Sequence, residues 1–342
     1  MDIFNTQPQQ PDMYDVASEK KALWHNASKL GLVMMTYYLF SKIMVYVYYY
    51  IVYLYKNHSL TLSFSKVAAY LQSKPKLITS SMFAMCGNLF CVITTFAATL
   101  LVGKFMLQID FNSMLKPEKN HIKQAAVWFP ACMTINTVMS VLAALLTFFL
   151  TSGGVRVPTV DFSLTKPGAL VVILQISYVV IIGPIIEEIL YRGVVLTLLM
   201  PYGKGLAIFV SALLFGLMHG NIPQAIAAVA GAVMYGLIAV KFNSIIPTIL
   251  IHIANNLIAS YPDYTTVYNL PGWIYYVVMI ILAVIGMFVI FTRITELRIT
   301  NEPQTLLTKG QKYRVVFTNI FMIIYILMLL SVFVKTFYYA NM

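Results

Sequence analysis

The chain has 342 residues, 60% hydrophobic and only 10% charged, with a formal net charge of +11, whereas soluble domains run about 45–50% apolar and about 25% charged. A water-soluble globule cannot cover that much apolar surface, so the solvent for most of this chain is lipid. The basic excess does not indicate a nucleic-acid partner, because Lys and Arg sit mainly between apolar runs and make no basic-aromatic stripe; anionic lipid headgroups explain them better.

Residues 1–30 are polar, with prolines near the start, and lack the early apolar core and small-residue cleavage site of a secretory signal. They are expected to stay uncleaved in the cytosol. Apolar runs then follow at 31–54, 78–105, 125–150, 169–199, 205–220, 222–241, 244–260, 273–291 and 315–337. Most approach the roughly 20 residues that cross a hydrocarbon core about 30 Å thick at about 1.5 Å per residue. The expectation is an all-α, polytopic transmembrane helix bundle of about eight or nine spans. It divides into the polar segment 1–30, N-terminal transmembrane helices over 31–168, a compact core with short connections over 169–260, and C-terminal transmembrane helices over 261–342.

Between the first two runs, LTLSFSKVAAYLQ has the spacing of a short helix lying in the membrane interface. The aromatic cluster VYVYYYIVYLY of the first run reads as lipid-interface and packing residues rather than a recognition groove. Cys86, Cys91 and Cys132 lie inside apolar stretches without CxxC spacing and read as small buried hydrophobes. With the N-terminus inside, the inner connections collect roughly twice as many Lys and Arg as the outer ones. The four lysines of the connection from Lys56 to Lys76, ends included, weaken that lean. The chain is expected to be a multi-pass protein of the cell membrane.

Ionisable side chains inside a membrane are costly unless paired or hydrated, so each is a functional candidate. In IIGPIIEEILYRGVVL (181–196), three charges interrupt an apolar helix. Glu188 and Arg192 are four residues apart on one helix face and form a charge-assisted pair, while Glu187 points about 100° away. The unpaired Glu187 is the candidate general base. Pro184 removes a backbone donor, bends the helix and leaves a carbonyl that something must satisfy. In AIFVSALLFGLMHG, Phe215 lies one turn before His219 and walls its imidazole, and Gly216 and Gly220 allow close helix approach. In PTILIHIANNLIAS, His252 and Asn256 share a face, with Asn255 turned away; directed at one point, they make a side-chain oxyanion hole.

A glutamate base, a histidine beside it and a His/Asn donor pair suffice to add water to an amide, with no serine or cysteine nucleophile and no cofactor. Ser211 and Ser260 have no evident base beside them. These same residues carry a resemblance: EEILYR, FGLMH and HIANN match, in order, the EExxxR, FxxxH and HxxxN motifs of the CAAX-protease/bacteriocin-processing (Abi) family of membrane proteins. The resemblance implies an intramembrane endopeptidase that looks like the enzymes removing the terminal tripeptide of prenylated CAAX proteins. By motif position, Glu187 and His219 resemble the water-activating residues, His252 and Asn256 the oxyanion hole, and Glu188 and Arg192 the supporting pair. The implied partner is a peptide or membrane-protein substrate, lipidated or exported. Residues 1–168 and 261–342 carry no signature of the family.

Other readings remain open at this level. Glu187, His219 and His252 are a possible two-histidine, one-carboxylate zinc set, although no HExxH pair exists and an asparagine beside His252 suits hydrogen bonding better. The same buried charges also suit a non-proteolytic binding or bacteriocin-immunity protein of the same family, or a transporter, although transporters often show paired repeats and none is evident here.

Overall fold

A computed structural model of the chain describes residues 15–61, 63–107, 115–116, 118–159, 167–265 and 267–342. The start of the polar N-terminal segment and positions 160–166 of the linker before the core lie outside the described residues. Among the described residues there are helices and connections, and no strand. The main helices are α1 (Val16–Asn57), α2 (Phe64–Gln72), α3 (Ser81–Leu107), α4 (His121–Ser152), α5 (Ala169–Tyr202), α6 (Lys204–Leu217), α7 (Ile222–Phe242), α8 (Ile246–Ala259), α9 (Trp273–Leu297), α10 (Lys309–Phe317) and α11 (Ile320–Asn341).

All nine expected apolar runs are helical. Seven of these helices are long and apolar enough to cross a membrane: α1, α3, α4, α5, α7, α9 and α11. The other two, α6 and α8, have 14 residues each, or about 21 Å of rise, short of a full hydrocarbon core. They stop early because Met218 and His219 turn into Gly220 at φ +68° and because Pro247 opens α8 just after Ile245. Gly203, at φ +143°, similarly lets α5 reverse tightly into α6, a backbone region that L side chains rarely adopt. The polar residues near the ends of α6 and α8 thereby sit within the bundle.

α1 starts earlier than its apolar run. Asp15 caps it, its side chain accepting from the Ser18 amide at 2.7 Å in a reciprocal capping box. The polar first turns are anchored: the buried Glu19 carboxylate accepts from the Leu306 and Leu307 amides, and Asn26 donates to the Tyr202 hydroxyl at 3.0 Å. α2 forms within the segment expected to lie in the interface and packs Tyr70 edge-on against Tyr53 of α1. The aromatic cluster of α1 packs on α3, where Tyr48 donates to the Phe83 carbonyl at 2.9 Å and stands 5.1 Å from its ring.

The largest core surrounds α5 and α6, with Leu30 and Met34 of α1 and Tyr325 of α11 against Tyr191, Leu196 and Leu214. A second joins α4 to α7, α8 and α9 through Trp128, Cys132, Ile238 and Ile251. Helices in lipid gain little from apolar burial alone, so close packing at small residues holds them together. A Cβ on Gly216 would collide with Val229 of α7, one on Gly286 of α9 with Thr134 and the Pro130 carbonyl of α4, and one on Gly31 of α1 would lie 2.7 Å from the Phe321 backbone of α11. Phe105, Phe149, Ile280 and Phe288 are exposed on the outer helices, as side chains facing lipid would be.

Candidate active site

α5 is not a uniform α-helix. Two π-helical stretches, Ser177–Ile182 and Ile189–Leu196, flank the α-helical piece Gly183–Glu188. Such insertions recur at functional sites because they re-aim side chains and loosen the backbone ladder. In the first stretch the Gly183 amide bonds the Tyr178 carbonyl, a five-residue step. The next amide in that register would come from residue 184 and bond Val179, but Pro184 has no N–H. The stranded Val179 carbonyl accepts instead from the side-chain amide of Asn256 on α8, at 2.9 Å. The carbonyl that Pro184 was expected to leave unsatisfied therefore docks α8 against α5.

The charged cluster follows directly. Arg192 Nη1 donates to Glu188 Oε1 at 3.0 Å, with both side chains fully buried. The second arm of the guanidinium donates to the Ala232 carbonyl of α7 at 3.2 Å, and its plane lies 4.7 Å from the Phe215 ring centroid and 5.2 Å from that of Tyr235. His252 adds a link that helix geometry alone did not reveal: its Nδ1 lies 3.0 Å from the same Glu188 oxygen, and its Nε2 lies 3.7 Å from Glu187 Oε2. The expected self-contained Glu188–Arg192 pair is thus corrected to a chain running Arg192, Glu188, His252, Glu187. Sequence spacing on one helix fixes the i,i+4 pair but says nothing of the neighbouring helix.

Glu187 is the carboxylate with access to water, its side chain 23% exposed against 0% for Glu188. His219 is half-buried just beyond the end of α6. Its Nδ1 lies 2.9 Å from the Phe215 carbonyl. A carbonyl can only accept, so Nδ1 carries the hydrogen and the neutral ring keeps its lone pair on Nε2. The Phe215 ring stands edge-on at 5.1 Å from His219 and 5.7 Å from His252, fixing both. Asn256 is held at a second point, because its side-chain oxygen accepts from Asn255, which in turn accepts from Asn136 of α4 at 2.9 Å. Ser211 and Ser260 are engaged with backbone carbonyls, those of Tyr191 at 2.7 Å and Asn256 at 2.8 Å.

The site is a wall between two cavities. One, of about 520 Å³, is lined by Glu187, His219, His252 and Asn256 together with Tyr37, Lys42, Tyr178 and Asp263. The other, of about 870 Å³, shares His219, Gln224, His252 and Asn256 and opens among α4, α7 and α9 past Val141, Ala227 and Met279. The first is markedly more polar than the second. Sequence reasoning missed Lys42, Tyr178 and Gln224. Only Lys42 carried a signal, as the lone charge within the run 31–54.

Residues 169–258 match a family model described as Rce1-like, the type II CAAX prenyl endopeptidases. No curated protein and no solved structure matches the chain. The matched stretch contains Glu187, Glu188, Arg192, Phe215, His219, His252 and Asn256. The match supports a CAAX-type intramembrane endopeptidase as the general class, in a multi-pass membrane protein.

Proposed function

We propose, taking the Rce1-like core as premise, that this chain hydrolyses a peptide bond in a membrane-associated or lipidated substrate, using water activated by Glu187 and His219 and no metal. The observation that carries this reading is the solvent-reachable Glu187 carboxylate sharing one cavity with the Nε2 face of His219. A water between them gives one hydrogen to the carboxylate and one to the imidazole, turning its lone pairs toward a substrate carbonyl. Glu187 takes the proton as the oxygen bonds to the carbonyl carbon, and returns it to the amide nitrogen as the C–N bond breaks.

The oxyanion is held by His252 and Asn256. Asn256 spends one amide hydrogen on Val179 and has a second to give. His252 faces the Glu188 carboxylate with Nδ1, which leaves its Nε2 edge toward the reacting carbonyl. The apolar 870 Å³ cavity suits a lipid chain or apolar side chains of the substrate. Glu187, His219 and His252 do not converge as a ligand set: among the described residues no three His, Cys, Asp or Glu side chains do. We place the protein in the cell membrane with its peptide entrance toward the cytosol, on the charge bias of its connections.

The test is cleavage of a library of lipidated and membrane-associated peptides by the purified protein in detergent. Glu187→Ala serves as control, and a chelator is added in parallel. The expected result is cleavage indifferent to chelator and lowered about 10²–10⁴-fold in the variant. Chelator-sensitive cleavage would replace the glutamate mechanism with a metal one. No cleavage by folded protein would favour a non-proteolytic binding or immunity role.

A further inference from the structure

The Glu187 carboxylate accepts no hydrogen bond from any of the described residues; its Oε2 stands 3.7 Å from His252 Nε2, beyond hydrogen-bond length. Two phenols in the same 520 Å³ cavity have the opposite deficit. Tyr37 of α1 and Tyr178 in the first π-helical stretch of α5 both line it and are half-buried. Among the described residues neither hydroxyl makes a hydrogen bond, and neither oxygen is packed shut. Both lie within electrostatic reach of Glu187. The other tyrosines on these walls are occupied differently: Tyr191 and Tyr325 share a hydrogen bond at 3.4 Å, and the Lys42 ammonium lies 5.1 Å from the Tyr38 ring centroid. Phenols without an acceptor and a carboxylate without a donor, set further apart than one hydrogen bond, are joined most simply by water. The cavity has room for on the order of ten water molecules.

We propose that Tyr37 and Tyr178 are positioning residues that hold water on Glu187, each donating its O–H to a cavity water. The inference rests on the peptidase reading of Glu187 and deepens it. In that reading the reacting water gives one hydrogen to Glu187 and the other to His219 Nε2. Held at two points only, it still turns about the line between its two acceptors, so the direction of its lone pairs is not fixed. An O–H donated by a phenol occupies one lone pair and leaves the other to point at the carbonyl carbon. The second phenol holds the neighbouring water that moves in after turnover, a supply that the surrounding lipid does not provide. Tyr37 lies outside the matched stretch 169–258, so α1 completes a site that the matched core holds only in part.

The experiment uses the full chain in lipid nanodiscs and has two arms. Infrared difference spectra of the parent against Tyr37→Phe and Tyr178→Phe isolate the C–O stretch of each phenol, whose frequency reports whether the O–H donates. Both are expected in the donating form, and both should shift in a Glu187→Gln background, where the carboxylate that orients the waters is gone. A stretch typical of a free phenol, or no response to Glu187→Gln, overturns the proposal. In the second arm, cleavage of a lipidated peptide should show kcat lowered about 3–10-fold in each Phe variant with KM held within about twofold. An unchanged kcat, or a loss confined to KM, overturns the positioning role. Neither hydroxyl bonds to the protein, so stability should not move. If a Phe variant does not fold, isotope-labelled tyrosine at that position supplies the same infrared comparison between the parent and Glu187→Gln. Donating phenols in a chain that turns over no peptide sink only the peptidase reading, and turnover with free phenols sinks only this proposal.

Discussion

Replacing Arg192 by methionine tests whether the buried chain of charges is one coupled unit. The substitution leaves a fully buried Glu188 carboxylate without its cationic partner, removes the donor to the Ala232 carbonyl, and takes a cation from between Phe215 and Tyr235. Removing one member of a buried ion pair costs about 3–5 kcal/mol, chiefly because the other charge is stranded. Glu188→Gln should be destabilising for the mirror-image reason. In the double variant Glu188→Gln/Arg192→Met no charge of the pair is left unpaired, so the loss should fall short of the sum of the singles by about 1–3 kcal/mol. The assay is equilibrium unfolding by SDS in mixed micelles, followed by the fluorescence of Trp24, Trp128 and Trp273. Single losses that add to within about 0.5 kcal/mol would refute the coupling. A loss under about 1 kcal/mol for Arg192→Met would refute the stranded-charge argument itself.

Other substitutions probe the docking of α8 and α7. Asn256→Leu strands the Val179 carbonyl and should cost about 1–3 kcal/mol in the same unfolding assay. Pro184→Ala restores a backbone N–H where the five-residue register lacks one, so in that background Asn256→Leu should become nearly neutral for stability while cleavage stays impaired; an undiminished stability loss would show that Asn256 does not substitute for the missing amide. Gly216→Ala should cost about 1–3 kcal/mol by overpacking against Val229, and a variant as stable as the parent would mean that α6 and α7 can part at no cost. Asn136→Leu should slow cleavage through Asn255 and Asn256, and it should add little to the effect of Asn255→Ala; additive rate losses would break the asparagine relay.

The helical, membrane-spanning character and the positions of all nine apolar helices were legible in composition and run length, because lipid leaves a chain few ways to satisfy its backbone. The i,i+4 pairing of Glu188 with Arg192 and the Phe215 wall on His219 were legible too, since both lie within one helix. What one helix cannot reveal is where its neighbour lands. His252 turning to Glu188, Arg192 reaching Ala232 and Asn256 capping Val179 all depend on the packing of α7 and α8 on α5. The π register of α5 was equally hidden: Pro184 announced a lost hydrogen bond but not that the ladder around it steps by five. The early start of α1 at Val16 went unread because its polar turns resemble a tail until Glu19 finds the Leu306 and Leu307 amides.

A hydrolase buried in lipid must solve two problems at once, admitting water and accepting an unfolded stretch of substrate whose backbone groups the bilayer cannot satisfy. The short helices α6 and α8 answer the first: the end of α6 places His219, and one face of α8 places His252 and Asn256, beside a polar cavity. The second requires donors and acceptors on the cavity walls, which Gln224, Tyr178 and Asn256 present where they line it. A peptide bond inside an intact substrate helix has its N–H and C=O already occupied and its carbonyl shielded by the surrounding turns. This site therefore suits a substrate segment that is extended or frayed, and a chain end meets that condition with the least unwinding.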